Sequence, residues 1–143
     1  MRLTMASDYA LRVLLFAAAH GERMITIEET LAANNISRGH LMKVVRVLAN
    51  KGFLRSQRGR TGGFTLGRRP ADIRLGDVVR ATEPDFRIVE CFGPGSDCAI
   101  LPACRLPRIL NEALAAFMAV MDAHTLEELI LRPGDFGLSL PAQ

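Results

Sequence analysis

The sequence predicts a mainly α fold with a small β-wing, a winged helix-turn-helix domain followed by a long dimerisation helix. Three observations carry this. Two short helical segments are separated by a tight polar turn, a Gly- and Arg-rich hairpin follows them, and a long helical run with a broad apolar face lies near the C-terminus. Composition agrees: 49% of residues are hydrophobic, aromatics reach only 6% and Trp is absent, which suits a helical core of Leu, Val, Ala and Met.

In "RLTMASDYALRVLLFAAAH" the positions Leu11, Leu14, Leu15 and Ala18 recur at helical spacing, with Tyr9, Arg12 and Val13 turned elsewhere, and Gly21 ends this amphipathic helix. Thr26 and Glu29 have capping-box spacing and start a short second helix with apolar positions Ile27, Leu31 and Ala32, which Asn34 and Asn35 break. Ser37 can cap a third helix, "RGHLMKVVRVLANK". Its buried stripe is Leu41, Val44, Val45 and Leu48, and Gly52 is placed for a left-handed C-cap. Two β-like runs, residues 53–55 and 64–66, flank the wing turn, where Gly59, Gly62 and Gly63 tolerate positive φ and bring backbone close to a partner.

"IRLGDVVRATEP" adds a short helix before Pro84, and Pro107 suits the first turn of the long helix. The face of that helix is Leu106, Leu110, Ala113, Leu114, Phe117, Val120 and Met121, too broad for one small domain to cover, so a two-fold homodimer is expected. After His124, Thr125 and Glu128 repeat the capping-box spacing and start a short terminal helix, and Pro133-Gly134 ends the ordered part. The expected organisation is a winged helix-turn-helix domain over 1–83, a cysteine-bearing loop over 84–105, the dimerisation and terminal helices over 106–132, and a flexible tail over 133–143.

Charge is divided along the chain. Residues 1–80 carry 14 Lys/Arg against 6 Asp/Glu, and residues 81–143 carry 4 against 9. From Thr30 to Ala71 there are nine Lys/Arg and no acid, the footprint of an anionic polymer. Double-stranded DNA is the expected partner. Lys43, Arg46, Arg68 and Arg69 would neutralise phosphates, Ser37, Arg38 and His40 would lie near base edges, and Arg58 and Arg60 would probe the minor groove from the wing. The run from Val13 to Ala19 is apolar but too short to span a bilayer, and Asp8 ahead of it argues against export, so a cytoplasmic protein without membrane contact is expected.

Cys91, Cys98 and Cys104 are the only cysteines and lie within fourteen residues. In a reducing compartment such a group points to a metal or cofactor site sooner than to a disulfide, and the intervening Gly93, Pro94, Gly95, Ser96 and Asp97 are poor core material. Three thiolates suit zinc, copper(I) or an iron-sulfur cluster. Spacings of six and five residues exceed the roughly two to four of a zinc knuckle, so the cluster leads. Asp8 by itself reads as a solvated or capping carboxylate on the first helix, placed to pair with Arg12 at i+4. With no nucleotide loop, paired-carboxylate motif or Ser/His or Cys/His arrangement, the chain is not expected to be an enzyme.

The segments "MRLTMASDYALRVL", "ISRGHLMKVVRVLANKGF", "RGRTGGFTLGR", "IRLGDVVRATEP", "ECF", "CAILPACRL" and "TLEELI" together resemble, over nearly the full length, the winged-helix iron-sulfur repressors of bacteria that include NsrR, IscR and RirA. They are most similar to the nitric-oxide-sensing branch, NsrR. Pro107 stands three residues after the last cysteine, where the IscR type has a histidine, and Ser7 replaces the more usual threonine. The resemblance implies a homodimer with an iron-sulfur cluster, [4Fe-4S] ahead of [2Fe-2S], bound by Cys91, Cys98 and Cys104 and by Asp8 of the partner subunit. It further implies a repressor that leaves a palindromic operator when the cluster reacts with nitric oxide. An iron-status regulator of the RirA type and a thiol-redox regulator without a cluster remain as alternatives.

Overall fold

The computed structural model describes residues 2–57, 59 and 62–136. Thr4 caps helix α1 (Met5–Ala19) by accepting the Ser7 N–H, and Gly21 leaves the helix at φ 62°. This helix is central, packing against α2, α3, β2 and α4, which together cover most of its surface. Its buried arc is accordingly wider than the expected stripe and is rotated. Val13, expected to face away, is wholly buried beside Ala10, Leu14, Phe16 and Ala17, whereas Leu11 and Leu15 are half-buried. The small Ala10 and Ala17 let neighbouring backbones approach on a side that periodicity alone would leave polar.

Helix α2 (Ile27–Asn34) begins at the expected capping box: the Thr26 N–H donates to Glu29 Oε2 at 2.7 Å and the Glu29 N–H to Thr26 Oγ1 at 3.1 Å. Its buried positions differ from those expected. Thr30 and Asn34 are enclosed while Ile27 and Leu31 are half-buried and Ala32 is exposed. The two polar side chains tolerate burial because each bonds within the helix, Thr30 Oγ1 to Thr26 C=O at 2.8 Å and Asn34 Nδ2 to Thr30 C=O at 3.0 Å. Asn35 in the left-handed region (φ 47°) then makes the turn.

Helix α3 (Arg38–Asn50) has Ser37 as N-cap and buries Leu41, Val44, Val45 and Leu48, the stripe read from sequence. It ends in a Schellman motif: Gly52 is at φ 75°, its N–H donates to Ala49 C=O and the Phe53 N–H to Leu48 C=O. Strands β1 (Leu54–Gln57) and β2 (Gly63–Leu66) pair antiparallel with Leu54 opposite Leu66 and Gln57 opposite Gly63. Ile25 adds a one-residue third strand, exchanging both backbone bonds with Phe64 at 2.9 and 3.0 Å.

Of the three wing glycines only Gly59 has a positive φ, 127°. Gly62 and Gly63 are needed for contact within the chain instead. A Cβ at Gly63 would come within 2.3 Å of Ile25 O, and one at Gly62 within 2.7 Å of Gln57 O.

Helix α4 (Leu75–Thr82) follows a short 3-10 turn and packs on α1 and on helix α5 (Leu106–Ala123). The apolar face of α5 divides in two. Leu110, Leu114, Phe117 and Met121 are half-buried in their own chain, while Leu106, Ile109, Ala113 and Val120 form a second stripe that stays exposed. The second capping box, Thr125 with Glu128, holds a 3-10 turn that returns wholly buried Leu126 to the core, its N–H bonded to Ile73 C=O at 2.9 Å. The chain does not leave the body at Pro133-Gly134. Residues Pro133–Phe136 form another turn, and the Phe136 ring meets Phe16 edge-on at 5.2 Å, an apolar anchor just beyond the punctuating residues. The remainder of the expected tail, 137–143, lies outside the described residues.

Candidate nucleic-acid interface and cysteine loop

Burial of Leu41, Val44, Val45 and Leu48 turns the opposite face of α3 outward. Between that face and the wing runs a groove of about 880 Å³ whose lining includes Glu28, Met42, Lys43, Arg46, Asn50, Gln57 and Gly63. Lys43 and Arg46 are exposed and, among the described residues, neither has an ion-pair partner. Arg55 on β1, opposite Thr65, is likewise exposed and was not anticipated from sequence. Its signal was available, since an outward strand residue alternates with buried Leu54.

The other expected contact residues are more engaged. Ser37 Oγ accepts the His40 N–H at 3.4 Å and shares a 2.9 Å hydrogen bond with His40 Nδ1. The His40 ring in turn lies 6.0 Å from that of Tyr9 on α1. Arg38 is ion-paired with Glu28 on α2, and this guanidinium, followed by the local backbone, holds the Glu28 carboxyl below the usual range. Arg68 lies 4.8 Å over the Phe53 ring and donates to Lys51 C=O at 2.7 Å, so it completes the end of α3. Arg69 makes two bonds to Asp72, at 2.8 and 3.0 Å, which raises its own pKa and lowers that of Asp72. Arg58 and Arg60 lie outside the described residues.

The cysteine loop leaves α4 at Glu83 and reaches α5 at Arg105. Cys91 sits in a 3-10 turn (Glu90–Phe92), Cys98 in an exposed bend and Cys104 at the end of a turn before α5, where its N–H donates to Leu101 C=O at 3.3 Å. All three thiols are free, Cys98 exposed and the other two half-buried. Within one chain, no three His, Cys, Asp or Glu side chains among the described residues converge to hold a metal ion. Asp8 is half-exposed and bonded to Arg12 at 2.8 and 3.1 Å.

The root of this loop is tied to the first turn of α1. Glu83 Oε1 accepts from the Thr4 N–H at 2.8 Å, from Thr4 Oγ1 at 3.0 Å and from Ser7 Oγ. Ser7 is wholly buried and also lies 2.7 Å from Thr82 Oγ1. The Thr82 hydroxyl in turn donates to Val78 C=O at 2.8 Å, which fixes it against the last turn of α4. None of these tethers was read from sequence, since Glu83 lies 79 residues from Thr4.

A helix-turn-helix with a wing, a cationic groove between them and a thiol-bearing loop define a DNA-binding transcriptional regulator. The chain belongs to the Rrf2 family, described as iron-dependent transcriptional regulators, whose pattern matches residues 3–132. It is 47% identical over 138 residues, 94% of each chain, to the HTH-type transcriptional regulator NsrR of Bacillus subtilis (strain 168). It is 48% identical over 132 residues, 91% of this chain and 90% of the relative, to that of Geobacillus kaustophilus (strain HTA426). Among solved structures it is similar to the oxidised form of Staphylococcus aureus CymR, with TM-score 0.71 and 25% identity over 90% of this chain and 95% of that one. IscR of T. potens, at 21% identity and TM-score 0.64 over 90% of this chain and 85% of that one, shares the fold. The family implied by the sequence motifs is the one found, and it is described as one of transcriptional regulators, as are the two relatives above. No described helix is long and apolar enough to cross a membrane.

Proposed function

We propose that the chain is a cytoplasmic, homodimeric repressor that binds a palindromic operator through α3 and the wing and responds to nitric oxide through an iron-sulfur cluster. The observation that carries the sensing half is the cysteine loop itself. Three free thiols lie on a segment without core function between two helices, in a chain whose relatives at 47% and 48% identity are NsrR regulators. The donor set fits the group: Cys91, Cys98 and Cys104 would hold the cluster, [4Fe-4S] ahead of [2Fe-2S], and Asp8 of the partner subunit would complete it. When bound, the cluster supplies reactivity toward nitric oxide.

The chain's own residues supply the coupling. Asp8 belongs to the first turn of α1, which Glu83 joins to the root of the loop. Tyr9, the next residue, touches His40 in the first turn of α3. A displacement of that turn therefore reaches both the loop and the recognition helix. A few kcal/mol between two arrangements of the dimer changes operator occupancy by orders of magnitude. The exposed α5 stripe of Leu106, Ile109, Ala113 and Val120 supports a two-fold contact between copies.

The family description, iron-dependent, favours a second reading in which iron status is the signal. One experiment separates the two. Protein purified without oxygen is assayed for iron and acid-labile sulfide per chain, and its visible spectrum and duplex affinity are followed during titration with nitric oxide and, separately, with an iron chelator. Bleaching and duplex release at low nitric oxide stoichiometry is the expected result. Release by the chelator alone would establish the iron reading, and colourless zinc-loaded or metal-free protein would overturn both.

A further inference from the structure

Among the described residues that line the groove between α3 and the wing, Glu28 is the only acid, and it faces Lys43 and Arg46. A carboxylate on a phosphate-facing surface weakens attraction to every duplex. Glu28 is exposed in the first turn of α2, where the helix N-terminus favours a carboxylate, but Glu29 already fills that role and closes the turn through the capping box. The hydrogen-bond partner of Glu28 is Arg38, the first residue of α3, a position from which a recognition helix reads base edges.

The two side chains compete in an informative way. Moving from Glu28 to a phosphate, Arg38 exchanges one anion for another and leaves Glu28 unpaired among phosphates. Moving to guanine, it gains the O6 and N7 acceptor pair, and the freed Glu28 carboxylate can accept from a neighbouring cytosine or adenine amino group. A matched step satisfies both residues at base edges, whereas a mismatched one leaves them bonded to each other without base contacts.

We propose that Glu28 and Arg38 form a specificity-determining pair, in which Glu28 holds Arg38 back from phosphates and yields it to a guanine with an amino-bearing base beside it. This rests on the DNA-binding reading above. The pair lowers affinity for arbitrary duplexes and sharpens discrimination at one base step.

The test starts from selection by the full chain on a randomised duplex pool, followed by affinities for the selected duplex and a scrambled one of equal length. Wild type, E28Q, R38A and the double variant are compared after their melting temperatures are shown to match. E28Q should bind the scrambled duplex about three- to tenfold tighter at low salt, and its selected-to-scrambled ratio should fall by about tenfold through one base step. R38A should lose the preference at that same step, and E28Q should change the ratio no further in the R38A background. Equal strengthening on both duplexes by E28Q, or the same loss of ratio with and without Arg38, would overturn the proposal. Wild type that selects no sequence at all would instead overturn the DNA-binding reading on which it stands.

Discussion

Gly76 lies directly beneath Asp122: a Cβ at residue 76 would come within 1.9 Å of Asp122 Oδ1. The missing side chain lets the last turn of α5 press on the first turn of α4, and the Asp122 carboxylate takes Nη1 and Nη2 of Arg80, from the last turn of α4, at 2.6 Å each. The Asp122 carbonyl accepts from Arg74 at 2.6 Å, and the Leu75 N–H donates to His124 C=O at 3.0 Å. The C-terminal end of the long helix is thereby fixed to the winged-helix half.

Replacing Gly76 with Ala should push the Asp122 carboxylate off Arg80. In the native protein the Arg80 hydrogen bonds hold the Asp122 pKa below its ordinary value. A depressed folded pKa contributes stability above the unfolded value of about 3.9 and loses it as pH falls through the folded value. Gly76→Ala should return the Asp122 titration, followed by carboxyl ¹³C shifts, to the ordinary range and flatten that acid-side loss in pH-dependent melts. Near neutral pH stability should change by less than about 1 kcal/mol, because Ala favours the helix by up to that amount. An Asp122 titration unmoved by the substitution would mean that the carboxylate and Arg80 shift together.

The tie between Glu83 and α1 predicts a larger effect. In a local capping box the residue at N3 reaches back to the N-cap N–H, but here N3 is Ser7, and Glu83 supplies that carboxylate from the end of α4. Glu83→Ala would leave the Thr4 N–H and hydroxyl without their acceptor and the buried Ser7 hydroxyl with Thr82 Oγ1 alone, at a cost of about 1–3 kcal/mol. Glu83→Gln, which keeps an acceptor oxygen, should cost clearly less. Equilibrium denaturation gives the two values, and amide exchange should show the Ala variant losing protection first at the N-terminal turn of α1. Equal destabilisation by both variants would remove the capping role.

These two tethers mark the boundary of what the sequence could disclose. The stripe, cap and Schellman end of α3 were legible because each depends on residues within a few positions of one another. Helix α1 was legible as an element and only in part in orientation: Leu14 and Ala18 of the expected stripe are buried, but burial of Val13 comes from several neighbouring elements, which a single stripe cannot encode. Buried Thr30 and Asn34 were hidden because their bonds run inside the helix, satisfying polarity that the pattern reads as exposure. In the candidate site the cationic positions were legible by charge, but their partners were not. Arg69 belongs to Asp72 and Arg38 to Glu28, and the second of these pairs joins two helices.

The free and the engaged cations should separate in the salt dependence of duplex binding. If Lys43 and Arg46 each meet one phosphate, Lys43→Ala and Arg46→Ala should each reduce the slope of log affinity against log salt by about one, through the loss of one released counterion. Arg69→Ala should leave the slope unchanged, because that guanidinium is already neutralised by two bonds to Asp72. Affinities at four or five salt concentrations suffice. A slope altered by Arg69→Ala and not by Arg46→Ala would reverse the assignment of the contact face.

Substitution of the cysteines should divide the molecule's two properties. None of Cys91, Cys98 or Cys104 is buried, and none belongs to the hydrophobic core, so replacing each with Ala should change the stability of metal-free protein by no more than about 0.5 kcal/mol. If the three thiols are ligands, each substitution should nonetheless lower iron per chain sharply and remove the visible absorption of the loaded protein. Asp8→Ala should have a milder effect on iron, because three thiolates remain, and should also free Arg12 from its ion pair. Cys98→Ala is the most decisive variant, since Cys98 is the most exposed of the three and contributes least to packing. Full iron content and colour in that variant would exclude Cys98 as a ligand and leave too few thiolates for the proposed site. Lost iron with an unchanged melting temperature would show that the loop serves the cofactor and not the fold.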